Sequence, residues 1–171
     1  IILAIGISAF ISFLIGFLAL RTIGVSFMIV TLMFSQIAYL SILYFGSITR
    51  GDEGFVIQQS SRIFFSLDLS NPTIRYYSAL LIFSLCIFIN LWIAKSSFGR
   101  VLVAIRENSD RALMLGYNVQ SYKLLSIIIS GTISGFAGAC YGILFGYVGA
   151  SFAAVSYSIF PLLWVLIGGA G

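Results

Sequence analysis

The chain has 171 residues, 60% hydrophobic and 8% charged, against roughly 45–50% and about 25% in soluble domains. Several apolar runs approach the ~20 residues a helix needs to cross a bilayer, so a soluble domain is excluded and an all-α, polytopic integral membrane bundle is expected. The net charge of +4 sits beside those runs, a mark of membrane topology rather than nucleic-acid binding, and the absence of histidine removes the commonest metal ligand and proton shuttle.

In chain order, Ile1 to Leu20 reads as the first span, with Ser8, Ser12 and Gly16 repeating every four residues as a strip for close helix contact. No basic region precedes it and no small-residue cleavage site follows, so it is not a cleaved signal. With no initiator Met and an apolar run reaching Gly171, residues 1–171 read as a single transmembrane unit within a longer subunit. Arg21-Thr22-Ile23-Gly24 interrupts the apolar pattern, as a tight hairpin or as the break in one helix, and Val25 to Phe45 makes the second span. A polar stretch, Gly46 to Tyr76, follows; its Arg50, Arg62 and Arg75 are matched by Asp52, Glu53 and Asp68. Within it, Thr49-Arg50-Gly51-Asp52-Glu53-Gly54 lacks the Gly-Lys-Ser/Thr ending of a phosphate loop and reads as a turn-rich connection. Tyr77 to Ala94 is the third span, Leu124 to Val148 the fourth, and Ser156 to Gly171 begins a fifth, about five in all. Cys86 and Cys140 fall in apolar runs and read as packing residues, not as a disulfide or metal pair.

Between the third and fourth spans, Lys95 to Lys123 is a long polar interruption between strongly apolar runs and carries Lys95, Arg100, Arg106, Arg111 and Lys123, five of the nine Lys and Arg. Apolar residues recur through it at helical spacing, at Phe98, Val101, Leu102 and Ile105 and again at Ala112, Leu113 and Gly116. The pattern predicts a helix down to about Arg106, a break, and a short helix from about Ser109 to Leu115. Asn108 suits its N-cap, Asp110 the positive end of its dipole, and Gly116 a left-handed terminus. Such an element is shaped to be gripped by a cytoplasmic partner; the alternative is an ordinary loop with helical order. Alternating sides groups Arg21 with this stretch and leaves three arginines opposite, so the positive-inside rule predicts residues 95–123 in the cytoplasm and 46–76 outside.

Gly131, Gly135, Gly138, Gly142 and Gly146, with Gly149 beyond them, recur every three or four residues along the fourth span and predict a helix-packing face or the wall of a path. Polar residues within spans are few; among them Thr31, Ser35 and Gln36 in the second span, with Asn90 in the third, stand out, and the first three are pathway candidates unless their hydroxyls bond back to their own helix. No Asp, Glu, Lys or Arg lies mid-span. That argues against a proton relay, an ion-coupled transporter, an intramembrane protease or a metal enzyme, and no catalytic or metal-binding residue is assigned.

Several short motifs together resemble one family. Arg21-Thr22-Ile23-Gly24, Phe27-Met28 and Thr31-Leu32-Met33-Phe34-Ser35-Gln36 stand in order before Gly51-Asp52-Glu53-Gly54. Gly99-Arg100, Ala104-Ile105-Arg106-Glu107-Asn108, Ala112, Gly116-Tyr117-Asn118, Ser130, Ala137-Gly138 and Ser158 to Gly168-Gly169-x-Gly171 follow. The chain resembles the permease subunits of bacterial branched-chain amino acid ABC transporters, the LivM-like branch, which is related to urea and ribose permeases. The resemblance implies a pore shared with a second permease subunit, cytoplasmic ATPase subunits on the central loop, a periplasmic substrate-binding protein, and a multi-pass subunit of the bacterial inner membrane, in membrane lipid and without nucleic acid. It implies ATP use by the partner and no cofactor on this chain. Arg106, Glu107, Asn108, Ala112 and Gly116 would be the ATPase-coupling residues, with Ala112 and Gly116 fitting a groove on the partner. Ser26, Arg50 and Ile159-Phe160 depart from the family pattern and bear on the solute. The reading is an importer subunit for branched-chain amino acids or a similar small polar solute; a urea or sugar permease and a non-transporting membrane anchor are the alternatives.

Overall fold

A computed structural model describes residues 1–22, 24–51, 53–57, 63–64, 67–68 and 71–169; Ile23, Asp52, Arg62 and Gly171 of the readings above lie outside the described residues. The fold is all-α. Four helices are long and apolar enough to cross a membrane: α1 (Ile2–Ala19), α2 (Val25–Tyr44), α4 (Pro72–Lys95) and α7 (Val119–Phe145). The short α3 (Gly46–Thr49) follows α2, and α5 (Ser97–Glu107) and α6 (Ser109–Met114) join α4 to α7. The fifth apolar run forms α8 (Val155–Gly168), 14 residues with Pro161 inside. At ~1.5 Å per residue it is about 21 Å long, shorter than the ~30 Å hydrocarbon core.

Two helix starts lie upstream of where hydropathy alone put them, and both are set by caps. Asn71 accepts from the Thr73 N–H at 3.1 Å and Pro72 occupies the first turn, where no amide donor is needed, so α4 begins five residues before Tyr77. Asn118 accepts from the Ser121 N–H at 3.2 Å and starts α7 at Val119 rather than Leu124. Gly146 ends α7 in the left-handed region, φ 66°, with its N–H on the Gly142 carbonyl at 2.8 Å.

The most extensive helix contact is between α1 and α7. Ser8 faces Gly135, Ser12 faces Gly131, and Gly16 meets Leu124 and Ile127, so the two helices run antiparallel. The small-residue strip of α1 and two glycines of α7 are the two halves of one interface, where van der Waals contact replaces the hydrophobic drive that lipid does not supply. Toward its C-terminal end α7 meets the start of α4: the Arg75 guanidinium lies 5.2 Å from the Phe145 ring centroid. α2 packs on α8 and on the 3-10 turn Ala150–Ala153.

The stretch from Gly46 to Tyr76, read as a polar connection, holds more order than that reading expected. β1 (Phe55–Val56) pairs antiparallel with β4 (Tyr147–Val148), Phe55 opposite Val148 and Val56 opposite Tyr147. The Ile57 N–H extends the ladder to the Gly146 carbonyl at 2.8 Å. β2 (Ile63–Phe64) and β3 (Leu67–Asp68) form a second antiparallel pair. Gly54 makes the first pairing possible: its φ is 66°, and a Cβ there would lie 2.6 Å from the Val148 carbonyl oxygen.

The bundle thus has two distinct ends. Arg21, Leu20 and Thr22 share one cavity with Ser109, Asn118 and Lys123, which joins the first turn to the α6–α7 region. The β1–β4 pair, α3 and Arg75 belong to the opposite end.

Candidate functional site

The polar end is built around α6. Ser96 caps α5 through the Gly99 N–H at 3.3 Å. Gly99 lets the chain turn sharply off α4, because a Cβ there would overlap the Ala94 and Ile93 carbonyl oxygens. At Asn108 the backbone is extended, φ −156°, and the side chain accepts from Asp110 N–H at 3.1 Å and Arg111 N–H at 3.0 Å. That supplies two of the unpaired donors of α6 and places Asp110 in its first turn. Gly116, φ 87°, closes the helix: its N–H reaches the Leu113 carbonyl at 2.9 Å, and Tyr117 N–H the Ala112 carbonyl at 3.1 Å.

Burial inverts one expectation for this helix. Ala112 is 2% exposed and packs with Ile105 and Val119, flanked by Val101 and Tyr122. It therefore holds α6 onto α5 and α7 of its own chain and is not free to enter a partner's groove. Phe98 stacks on Tyr122 at 5.6 Å, and Tyr117 meets the same ring edge-on at 6.0 Å. Outward, α6 presents Asp110, Arg111, Leu113 and Met114, the last 88% exposed, and Leu115 just past its end is 75% exposed. Beside them a depression of about 460 Å³ is lined by Glu107, Asn108, Arg111, Ala112 and Tyr117, among others. Arg106 is in the last turn of α5. The sequence reading missed Met114 and Leu115 because it counted the apolar face of α6 through Ala112 and Gly116.

The pathway candidates of α2 do not come together. The Thr31 hydroxyl bonds back to the Met28 carbonyl at 2.8 Å, Ser35 Oγ lies 3.4 Å from Ser158 Oγ of α8, and Gln36 is half-buried. None of the three lines either of two larger hollows along the helices, both open to the outside of the chain. The first, about 610 Å³, lies between α4, α5 and α7 and includes Asn90, Ser126, Ser130 and Ser134 in its lining. The second, about 840 Å³, lies at the polar end beside Arg21 and Lys123.

The glycine series of α7 divides. Gly131 and Gly135 are pressed against α1, and Gly142 against the Val148 side chain, where a Cβ would lie 2.8 Å from Cγ2. Gly138 has nothing within 4 Å, so the helix contact expected there is not made within this chain. Gly146 and Gly149 are not part of the helical face at all: Gly146 is the terminus of α7, and Gly149 sits against the Tyr147 ring in the turn beyond it.

The family described as the permease component of branched-chain amino acid transport systems matches residues 1–171. The chain belongs to this family. It is 29% identical over 188 residues to the high-affinity branched-chain amino acid transport system permease protein LivM of Salmonella typhimurium strain LT2, covering 96% of the chain and 44% of that protein. It is 30% identical over 182 residues to the LivM protein of Escherichia coli K12, covering 93% and 43%. A probable LivM permease of Methanocaldococcus jannaschii is 33% identical over 75 residues, 43% of the chain and 22% of that protein. The permease chain spans less than half the length of these relatives. No solved structure matches it. With this family and four helices fit to cross a bilayer, the permease is a multi-pass membrane protein.

Proposed function

We infer that the chain is the membrane-spanning part of a permease subunit in an ATP-driven importer of branched-chain amino acids or a similar small polar solute. The α5–α6 end lies in the cytoplasm and the β1–β4 end outside. Arg21, Lys95, Arg100, Arg106, Arg111 and Lys123 at the first end, against Arg50 and Arg75 at the other, support that orientation through the positive-inside rule. ATP is hydrolysed by separate cytoplasmic ATPase subunits, a second permease subunit completes the pore, and an external binding protein delivers the solute.

The observation that carries this reading is the tip of α6. Leu113, Met114 and Leu115 are exposed on a short, doubly capped helix outside the spans, held in place by Ala112 on its other face. Apolar side chains on a rigid mount in water favour a protein partner. A partner that changes its grip on them with nucleotide state can drive the spans, since a conformational equilibrium moves only by differential affinity for its two states. The test is uptake of radiolabelled leucine into proteoliposomes carrying the full-length subunit with its partner subunits and binding protein. Accumulation that requires ATP is expected. Leucine entry indifferent to ATP, or none with a complete complex, would overturn the reading.

A further inference from the structure

The hollow of about 840 Å³ at the polar end lies where three spans reach the membrane surface. α1 ends at Ala19, α2 begins at Val25, and the apolar run of α7 begins at Leu124, so Arg21 and Lys123 stand at the depth of lipid headgroups. Both cations line the hollow, together with Asn118 and Gln120, and no carboxylate does. The depression beside α6 differs, since Glu107 lines it along with Arg111. Neither Arg21 nor Lys123 has an ion pair among the described residues; the Arg21 guanidinium lies over the Phe17 ring, 5.4 Å from its centroid. Asn118 gives its side-chain oxygen to the Ser121 N–H at 3.2 Å, which leaves its amide hydrogens as donors.

The wall of the hollow changes character with depth. Phe27, in the first turn of α2, and Ile127, one turn beyond Lys123 on α7, are apolar and lie farther into the bilayer than the two cations. Cations at this depth with no carboxylate beside them are answered by water or by an anion, and the anion that a bilayer surface offers is lipid phosphate.

We propose that this hollow seats the phosphodiester of an anionic phospholipid between Arg21 and Lys123, with the glycerol and upper acyl chain against Phe27 and Ile127. A basic rim followed by an apolar wall matches the two parts of such a lipid in charge and in order. Bound there, the lipid joins the turn after α1 to the start of α7, next to Ser109 and Leu113 of α6, which line the same hollow. The proposal needs only that the chain crosses the bilayer and does not depend on what the permease carries.

The experiment reconstitutes the full-length subunit, in its assembled complex, into phosphatidylcholine vesicles with a trace of photoactivatable phosphatidylglycerol whose diazirine sits at the top of the acyl chain. Illumination and peptide mapping should place the adducts mainly in residues 24–27 and 124–127, whereas photoactivatable phosphatidylcholine should scatter over the spans. An excess of inorganic phosphate should not displace the label. Arg21→Gln and Lys123→Gln should each lower it roughly fivefold, the worth of one cation facing an anionic lipid. Lys95→Gln combined with Arg100→Gln removes charge from the same end of the bundle without touching the hollow and should leave the label unchanged. Equal losses in the two sets would reduce the effect to general attraction and overturn the site. Loss of the label to inorganic phosphate, or wild-type adducts scattered evenly over the spans, would overturn it as well. Should the glutamine variants fail to assemble, the wild-type adduct map decides, since labelling confined to those two stretches supports the site and its absence there refutes it.

Discussion

Ser12 of α1 fills the space that a side chain on Gly131 of α7 would need, and Ser8 does the same one turn along at Gly135. The two helices meet through serine against hydrogen, which sets their separation and their antiparallel register.

Gly131→Leu or Gly135→Leu should therefore separate α1 from α7 and lower the stability of the detergent-solubilised protein by about 1–3 kcal/mol, the range for overpacking a tight contact. Gly138→Leu should leave it unchanged, since nothing lies within 4 Å of that position. Thermal unfolding of the three variants in one detergent is the comparison to make. Equal losses at 131 and 138 would mean the α1–α7 contact does not decide the packing.

Much of this architecture was legible in the chain. Four spans show in hydropathy, and the Asn108 cap with Gly116 after it marks α6. Both halves of the α1–α7 interface were visible as small-residue strips, but a strip does not say which other strip it meets. The β1–β4 pairing was hidden because two-residue strands have no periodicity and these lie far apart in sequence. The α4 start was written in Asn71-Pro72, a cap followed by a first-turn proline, yet hydropathy drew attention to Tyr77 instead. At α6 a six-residue helix offers two apolar faces, and only the presence of Ile105 and Val119 beneath it decides that Ala112 turns in and Met114 turns out.

Because Ala112 is internal, Ala112→Trp should unseat α6 from α5 and α7 and weaken ATPase binding only as a consequence. Limited proteolysis should then cut near residues 108–116 in the isolated subunit as well as in the complex. A resistant Ala112→Trp subunit would contradict the burial assigned to this residue.

Asn108→Ala removes the acceptor for two amides of the first turn of α6. A cost of about 1 kcal/mol is expected, read as roughly fivefold faster hydrogen exchange at the Arg111 amide. Unchanged exchange there would show that the cap does not hold the helix.

Gly54→Ala combines a positive φ with a Cβ against the Val148 carbonyl and the Gly149 Cα. It should open the β1–β4 pairing, and the amide of Ile57 should lose its protection from exchange. Retained protection would mean the loop accommodates the methyl group without leaving β4.

The most direct test of the account is site-specific photocrosslinking in intact cells, with a photoreactive residue at Met114 and, separately, at Val56 at the opposite end of the bundle. The account predicts that Met114 captures the ATPase subunit and that Val56 does not. Capture from Val56, or none from Met114 in an assembled and active complex, would contradict both the orientation and the role of α6.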